Sequence, residues 1–145
     1  MSEKINPFQY IQSLIYEYSK EKEYDKIKEE FDNLFDYIDS YSGNKEFLYV
    51  NINDIFYNLL DNFKEKDYTI PSLSHITQFY LKFLKDRKSD INQALLFINL
   101  GSHFYDNKEK EFAITCLKKG KEIYEDLALK KELAKVEAIL NKLNK

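Results

Sequence analysis

Apolar residues recur every three to four positions along nearly the whole chain, which is the spacing of one face of an α-helix. Asn6-Pro7, an N-cap residue followed by a proline for the first turn, opens a helix whose face is Phe8, Ile11, Leu14, Ile15 and Tyr18. A second face runs Tyr24, Ile27, Phe31, Leu34, Phe35 and Ile38 and stops at the turn formers around Gly43. The third, over about 46–63, carries Leu48, Ile52, Ile55, Phe56, Leu59, Leu60 and Phe63. A link over 64–71 leads to Leu73, Ile76, Phe79, Tyr80, Phe83 and Leu84. After the charged connector 85–88, Ser89 or Asp90 caps a fifth helix holding Ala94, Phe97, Leu100, Gly101 and Phe104. Beyond Asp106-Asn107 come Phe112, Ala113, Leu117, Ile123, Tyr124 and Leu127, and a last stripe of Leu133, Val136, Leu140 and Leu143. No alternating strand pattern bounded by turns occurs, so the predicted class is all-α. Six or seven helices in antiparallel hairpins (about 6–41, 46–86 and 89–127) and a capping helix at about 130–143 would form one domain.

One window has a finer pattern. Phe97-x-x-Leu100-Gly101-x-x-Phe104 is followed by Ala113 and Leu117. Small residues at 101 and 113 let two helices approach nearly to backbone contact, while the aromatics and leucine fill the flanks. Residues 94–127 resemble a tetratricopeptide repeat, whose period is about 34 residues. Gly120 departs from the alanine of that pattern, and no proline closes the repeat. Residues 8–41 and 49–84 fit only in outline, the second with 64–71 as an insertion. The resemblance implies a short right-handed solenoid with a polar cap; a helical bundle is the alternative.

Composition narrows the function classes. One cysteine, Cys116, excludes an internal disulfide or a cysteine zinc cluster. No stretch approaches about 18 uninterrupted apolar residues, and the opening Met1–Pro7 lacks a signal-peptide core, so a cytoplasmic, non-membrane protein is expected. Net charge is −3; residues 108–145 carry 10 lysines against 7 acids, the rest 12 bases against 18. Arg87 is the only arginine, which is poor material for gripping phosphates, and no nucleic acid is expected as a partner. The 12 tyrosines and 11 phenylalanines follow a Lys-, Asn- and Ile-rich, AT-type composition.

Candidate chemistry is sparse. His75 and His103 stand alone, the glycines at 43, 101 and 120 form no phosphate loop, and Cys116 lies among apolar neighbours with no base to activate it. The expectation is a protein that is not an enzyme and needs neither metal nor cofactor. Asp25, Glu29, Asp32, Asp36 and Asp39 line one side of the second helix; such a stripe can hold a divalent cation or a basic peptide, or be a solvated face. Lys118, Lys119 and Lys121 form a small basic patch.

The leading expectation is a protein- or peptide-binding module. In the resembled repeats the first helix of each hairpin lines a concave groove. Carried over, that implies Asn99, Ser102 and Tyr105, with Gln12, Ser13 and Tyr16 and then Asn53, Asp54 and Tyr57 from the looser windows. Tyrosine supplies flat contact area and asparagine pairs with an extended backbone. The chain also resembles the helical-repeat portion of bacterial cytoplasmic receptors for secreted signalling peptides, without their DNA-binding leader. The alternative expectation is a structural or assembly subunit, or a homodimer.

Overall fold

The structure, a computed structural model, describes residues 7–85, 87 and 90–144. The chain is all-helical, with seven α-helices among the described residues: α1 (Pro7–Lys20), α2 (Tyr24–Ser40), α3 (Lys45–Leu60), α4 (Ile70–Leu84), α5 (Ile91–Asp106), α6 (Lys110–Asp126) and α7 (Lys130–Leu143). It divides into two compact units, Met1–Lys82 and Phe83–Lys145. The expected cap at Asn6, Ser89, and residues 86 and 88 of the charged connector lie outside the described residues.

Three tight turns use one device. Lys22, Lys108 and Ala128 take left-handed φ angles of 60°, 66° and 55°. The next amide reaches back five residues in each case: Glu23 to Tyr18 at 2.9 Å, Glu109 to Phe104 at 2.8 Å and Leu129 to Tyr124 at 3.0 Å. This Schellman closure satisfies carbonyls at a helix end and turns α1 back on α2, α5 on α6 and α6 on α7. Side-chain caps start α3, α4 and α5. Asp90 accepts from the Asn92 amide at 2.7 Å, Asn44 from Phe47 at 3.3 Å and Thr69 from Ser72 at 3.2 Å.

In the first unit α1 packs against α2 and α3. The helices α2, α3 and α4 meet through a stack of rings, Phe79 on Phe31 at 4.7 Å, Phe31 on Phe56 at 5.0 Å and Phe56 on Tyr80 at 5.0 Å. Tyr80 is fully buried, and its hydroxyl donates to Asn53 Oδ1 at 2.7 Å, so its one polar atom is satisfied. In the second unit α5 lies along α6, and α7 covers α6 with Val136, Leu140 and Leu143. The close approach predicted at Gly101 and Ala113 is present. A Cβ on Gly101 would stand 3.1 Å from the Ala113 carbonyl oxygen.

Three expectations about the core are corrected. α3 ends at Leu60 rather than about 63, because Asp61 is extended and Asn62 is left-handed; Phe63 is still buried, but from a separate 3-10 turn, Phe63–Lys66. Leu127 lies just past the end of α6 and is 37% exposed. Of the α1 face only Ile15 is fully buried; Phe8, Ile11, Leu14 and Tyr18 are half-buried.

Cys116 is completely buried in α6, and burial pushes its thiol up to about 12. The unfolded thiol ionises near pH 8.5, so the stability this group contributes is complete below that pH and is lost as pH rises toward the folded value. At pH 8 a thiol reagent is expected to label the native chain at least about a hundredfold more slowly than the urea-unfolded chain, since exposure requires an opening that costs several kcal/mol. Equal rates would place Cys116 at the surface.

Candidate functional site

A cleft of about 310 Å³ in the first unit brings together several polar, titratable and aromatic side chains. One wall is the outer face of α1, with Gln12, Ser13, Tyr16 and Glu17. The opposite wall is the end of α3, Asn58 and Leu59, together with Lys66 and Tyr68 from the segment leading into α4. Residues 12, 13, 16 and 17 share a side of α1 because positions three and four apart are neighbours on a helix. Lys66 and Tyr68 reach the cleft because left-handed residues at Asn62 and Asp67 bracket the 3-10 turn and fold the segment into a compact loop.

Two tyrosines set the character of the cleft. Tyr16 meets Tyr68 edge to face, with ring centroids 6.1 Å apart, and Lys20 Nζ lies 4.5 Å above the Tyr16 ring. The Tyr68 hydroxyl is buried and has no hydrogen-bond partner among the described residues. Burial, with a smaller contribution from Tyr16, holds its proton on well above the usual tyrosine range. Lys66 donates to the backbone carbonyl of Asn58, and burial lowers its pKa from the ordinary lysine value. The cleft therefore offers a neutral hydroxyl donor, an ammonium, a carboxylate and two ring faces.

The nine expected binding residues separate. Gln12, Ser13 and Tyr16 line this cleft together. Asn53 is half-buried, and its Oδ1 accepts from the buried Tyr80 hydroxyl. Asp54 is exposed and Tyr57 half-buried on the same helix, and neither lines the cleft. Ser102 and Tyr105, in the second unit, line a different cleft with Ile139, Lys142 and Leu143; Asn99 is exposed and does not line it. Lys66 and Tyr68 were not anticipated, because they sit in a link with no periodicity to place them. The nearest local signal is Thr69, an N-cap residue two positions before Pro71, which marks where the link ends and α4 begins.

The other charged features resolve simply. All five residues of the acidic stripe on α2 are exposed, and among the described residues no group of three or more His, Cys, Asp or Glu side chains could hold a metal ion. The basic patch on α6 is interleaved with acids: Lys119 pairs with Glu122 at 3.5 Å and Lys121 with Glu125 at 3.7 Å. His75 stacks on Tyr24 with centroids 5.8 Å apart, and His103 meets Phe104 edge-on. Among the described residues no helix is long and apolar enough to cross a membrane. No protein-family model matches the chain, and no curated protein or solved structure matches it.

Proposed function

We propose that this chain is a non-catalytic protein- or peptide-binding module and that the α1–α3 cleft is where it takes its ligand. The observation that carries the reading is the Tyr68 hydroxyl, buried in the cleft wall without a hydrogen-bond partner among the described residues. An orphaned buried hydroxyl costs roughly 1–3 kcal/mol, and a peptide carbonyl entering the cleft would accept its proton. Gln12 and Ser13 add donors and acceptors beside it, and the Tyr16 ring adds contact area. A cytoplasmic bacterial peptide sensor is the finer form of this reading, in line with the resemblance noted for the helical pattern.

Tyr68→Phe separates function from stability. Removing the orphaned hydroxyl is expected to raise folding stability by about 1 kcal/mol while weakening ligand capture. Selection from a random peptide library displayed on phage, against the full chain and the variant, provides the binding readout. Enrichment by the native chain that falls with Tyr68→Phe supports the reading. No enrichment, or a variant that is less stable and binds equally well, removes the cleft from consideration.

A second reading, an assembly subunit or homodimer, draws on Phe47 and Val50, neighbours on α3 that are 60% and 54% exposed. Sedimentation over a concentration range distinguishes self-association: a strict monomer leaves no homodimer.

A further inference from the structure

The second unit holds a cleft of about 290 Å³ whose lining repeats the chemistry of the first. In the first cleft Ser13, Tyr16 and Glu17 stand on α1, Leu59 lies in the facing wall, and Lys66 comes from across. In the second, Ser102, Tyr105 and Asp106 stand on α5, Leu117 and Leu143 line it, and Lys142 comes across from α7. Serine, tyrosine and acid occupy i, i+3 and i+4 in both, so each trio shares one helical face. Of the nine serines in the chain, only Ser13 and Ser102 have tyrosine at i+3, and both also have an acid at i+4. Each of the two lines a cleft opposite a lysine. The trio sits three residues, about one turn, nearer the helix end in α5 than in α1, so the match is of lining chemistry and not of repeat register.

We propose, resting on the peptide-binding reading, that each unit carries its own instance of one recognition cleft and that the chain takes two peptide segments. The complementary occupant is a short segment with an apolar side chain flanked by one acidic and one basic residue. Its carboxylate faces Lys66 or Lys142 and its cation faces Glu17 or Asp106, while the apolar group lies against the tyrosine ring and the leucines. Ser13 and Ser102 are both exposed, so a large side chain at either position obstructs its cleft while leaving the core intact.

The probe is the capped tripeptide acetyl-Glu-Leu-Lys-amide, titrated into the 15N-labelled full chain, with amide shifts read by NMR. Two separate sets of residues are expected to shift, one around Ser13 and Tyr16 and one around Ser102 and Tyr105. Ser13→Trp is expected to erase the first set and spare the second, and Ser102→Trp the reverse, lowering the stoichiometry from two peptides to one; unchanged far-UV circular dichroism certifies both folds. Shifts confined to the first cleft overturn the duplication and leave the peptide-binding reading intact. Shifts confined to the second overturn both the duplication and the assignment of the α1–α3 cleft. No shift at either, up to the solubility of the peptide, overturns the inferred occupant, and the library selection then decides the peptide-binding reading separately. Cleft shifts that follow protein concentration without peptide identify a second copy as occupant and overturn the inference as well.

Discussion

Phe31→Ala is expected to cost about 4 kcal/mol of folding free energy, a large part of what a chain of this size has. Phe31 is fully buried on α2 and stacks on rings from both α3 and α4: Phe56 of α3 at 5.0 Å and 5° from parallel, and Phe79 of α4 at 4.7 Å and 18°. Truncation removes both ring contacts and leaves a hole between two large aromatics, which cannot close the gap without breaking Phe56 from Tyr80. Phe31→Leu keeps most of the volume and is expected to cost less than half as much. Chemical denaturation followed by far-UV circular dichroism measures both. A loss below about 1.5 kcal/mol for the alanine variant would mean the ring stack is not the centre of this unit.

Gly101→Val is expected to cost about 3 kcal/mol, while Gly120→Ala, on the facing helix, is expected to be neutral or slightly stabilising. Both glycines are helical and buried. A Cβ on Gly101 would stand 2.8 Å from Leu117 Cγ, 3.0 Å from its Cδ2 and 3.1 Å from the Ala113 carbonyl oxygen. Leu117 is itself buried and the carbonyl belongs to the α6 backbone, so neither can yield without parting the helices. A Cβ on Gly120 meets Ile98 Cδ1 at 2.6 Å and Cγ1 at 3.1 Å, whereas the nearest backbone atom is 3.5 Å away. Ile98 is only half-buried, so its side chain can rotate outward, and the helix gains up to about 1 kcal/mol of propensity from the alanine. Thermal unfolding of the two variants tests the contrast. Equal losses would show that α5 and α6 are closely packed at both positions.

The contrast between these glycines marks how far one-dimensional pattern carries. The window 94–127 pointed to a close helix pair, and the packing at Gly101 and Ala113 matches that expectation. Gly120 looked like a departure from pattern. In the structure it sits against Ile98, a residue on the half-exposed side of α5 that periodicity does not single out. The candidate site shows the same division. Gln12, Ser13 and Tyr16, which the repeat resemblance implied for a groove, lie together along one cleft. Asn53 shared their polar character, but a tyrosine 27 residues further along the chain takes up its oxygen.

Sequence by itself determined the helices and most of their buried faces, because both follow from interactions within a few residues. Apolar spacing of three and four marks the buried side, and Asn44 and Asp90 supply the cap oxygens where α3 and α5 begin. Only the tertiary structure decided which of the remaining polar groups find partners. Division into two units, the satisfied hydroxyl of Tyr80, the Tyr68 hydroxyl with no partner among the described residues and the two clefts with their lysines all depend on residues brought together from distant positions. The physical reason is range. A helix is stabilised by hydrogen bonds four residues apart, whereas a cleft exists only where side chains from separate elements fail to fill the space between them.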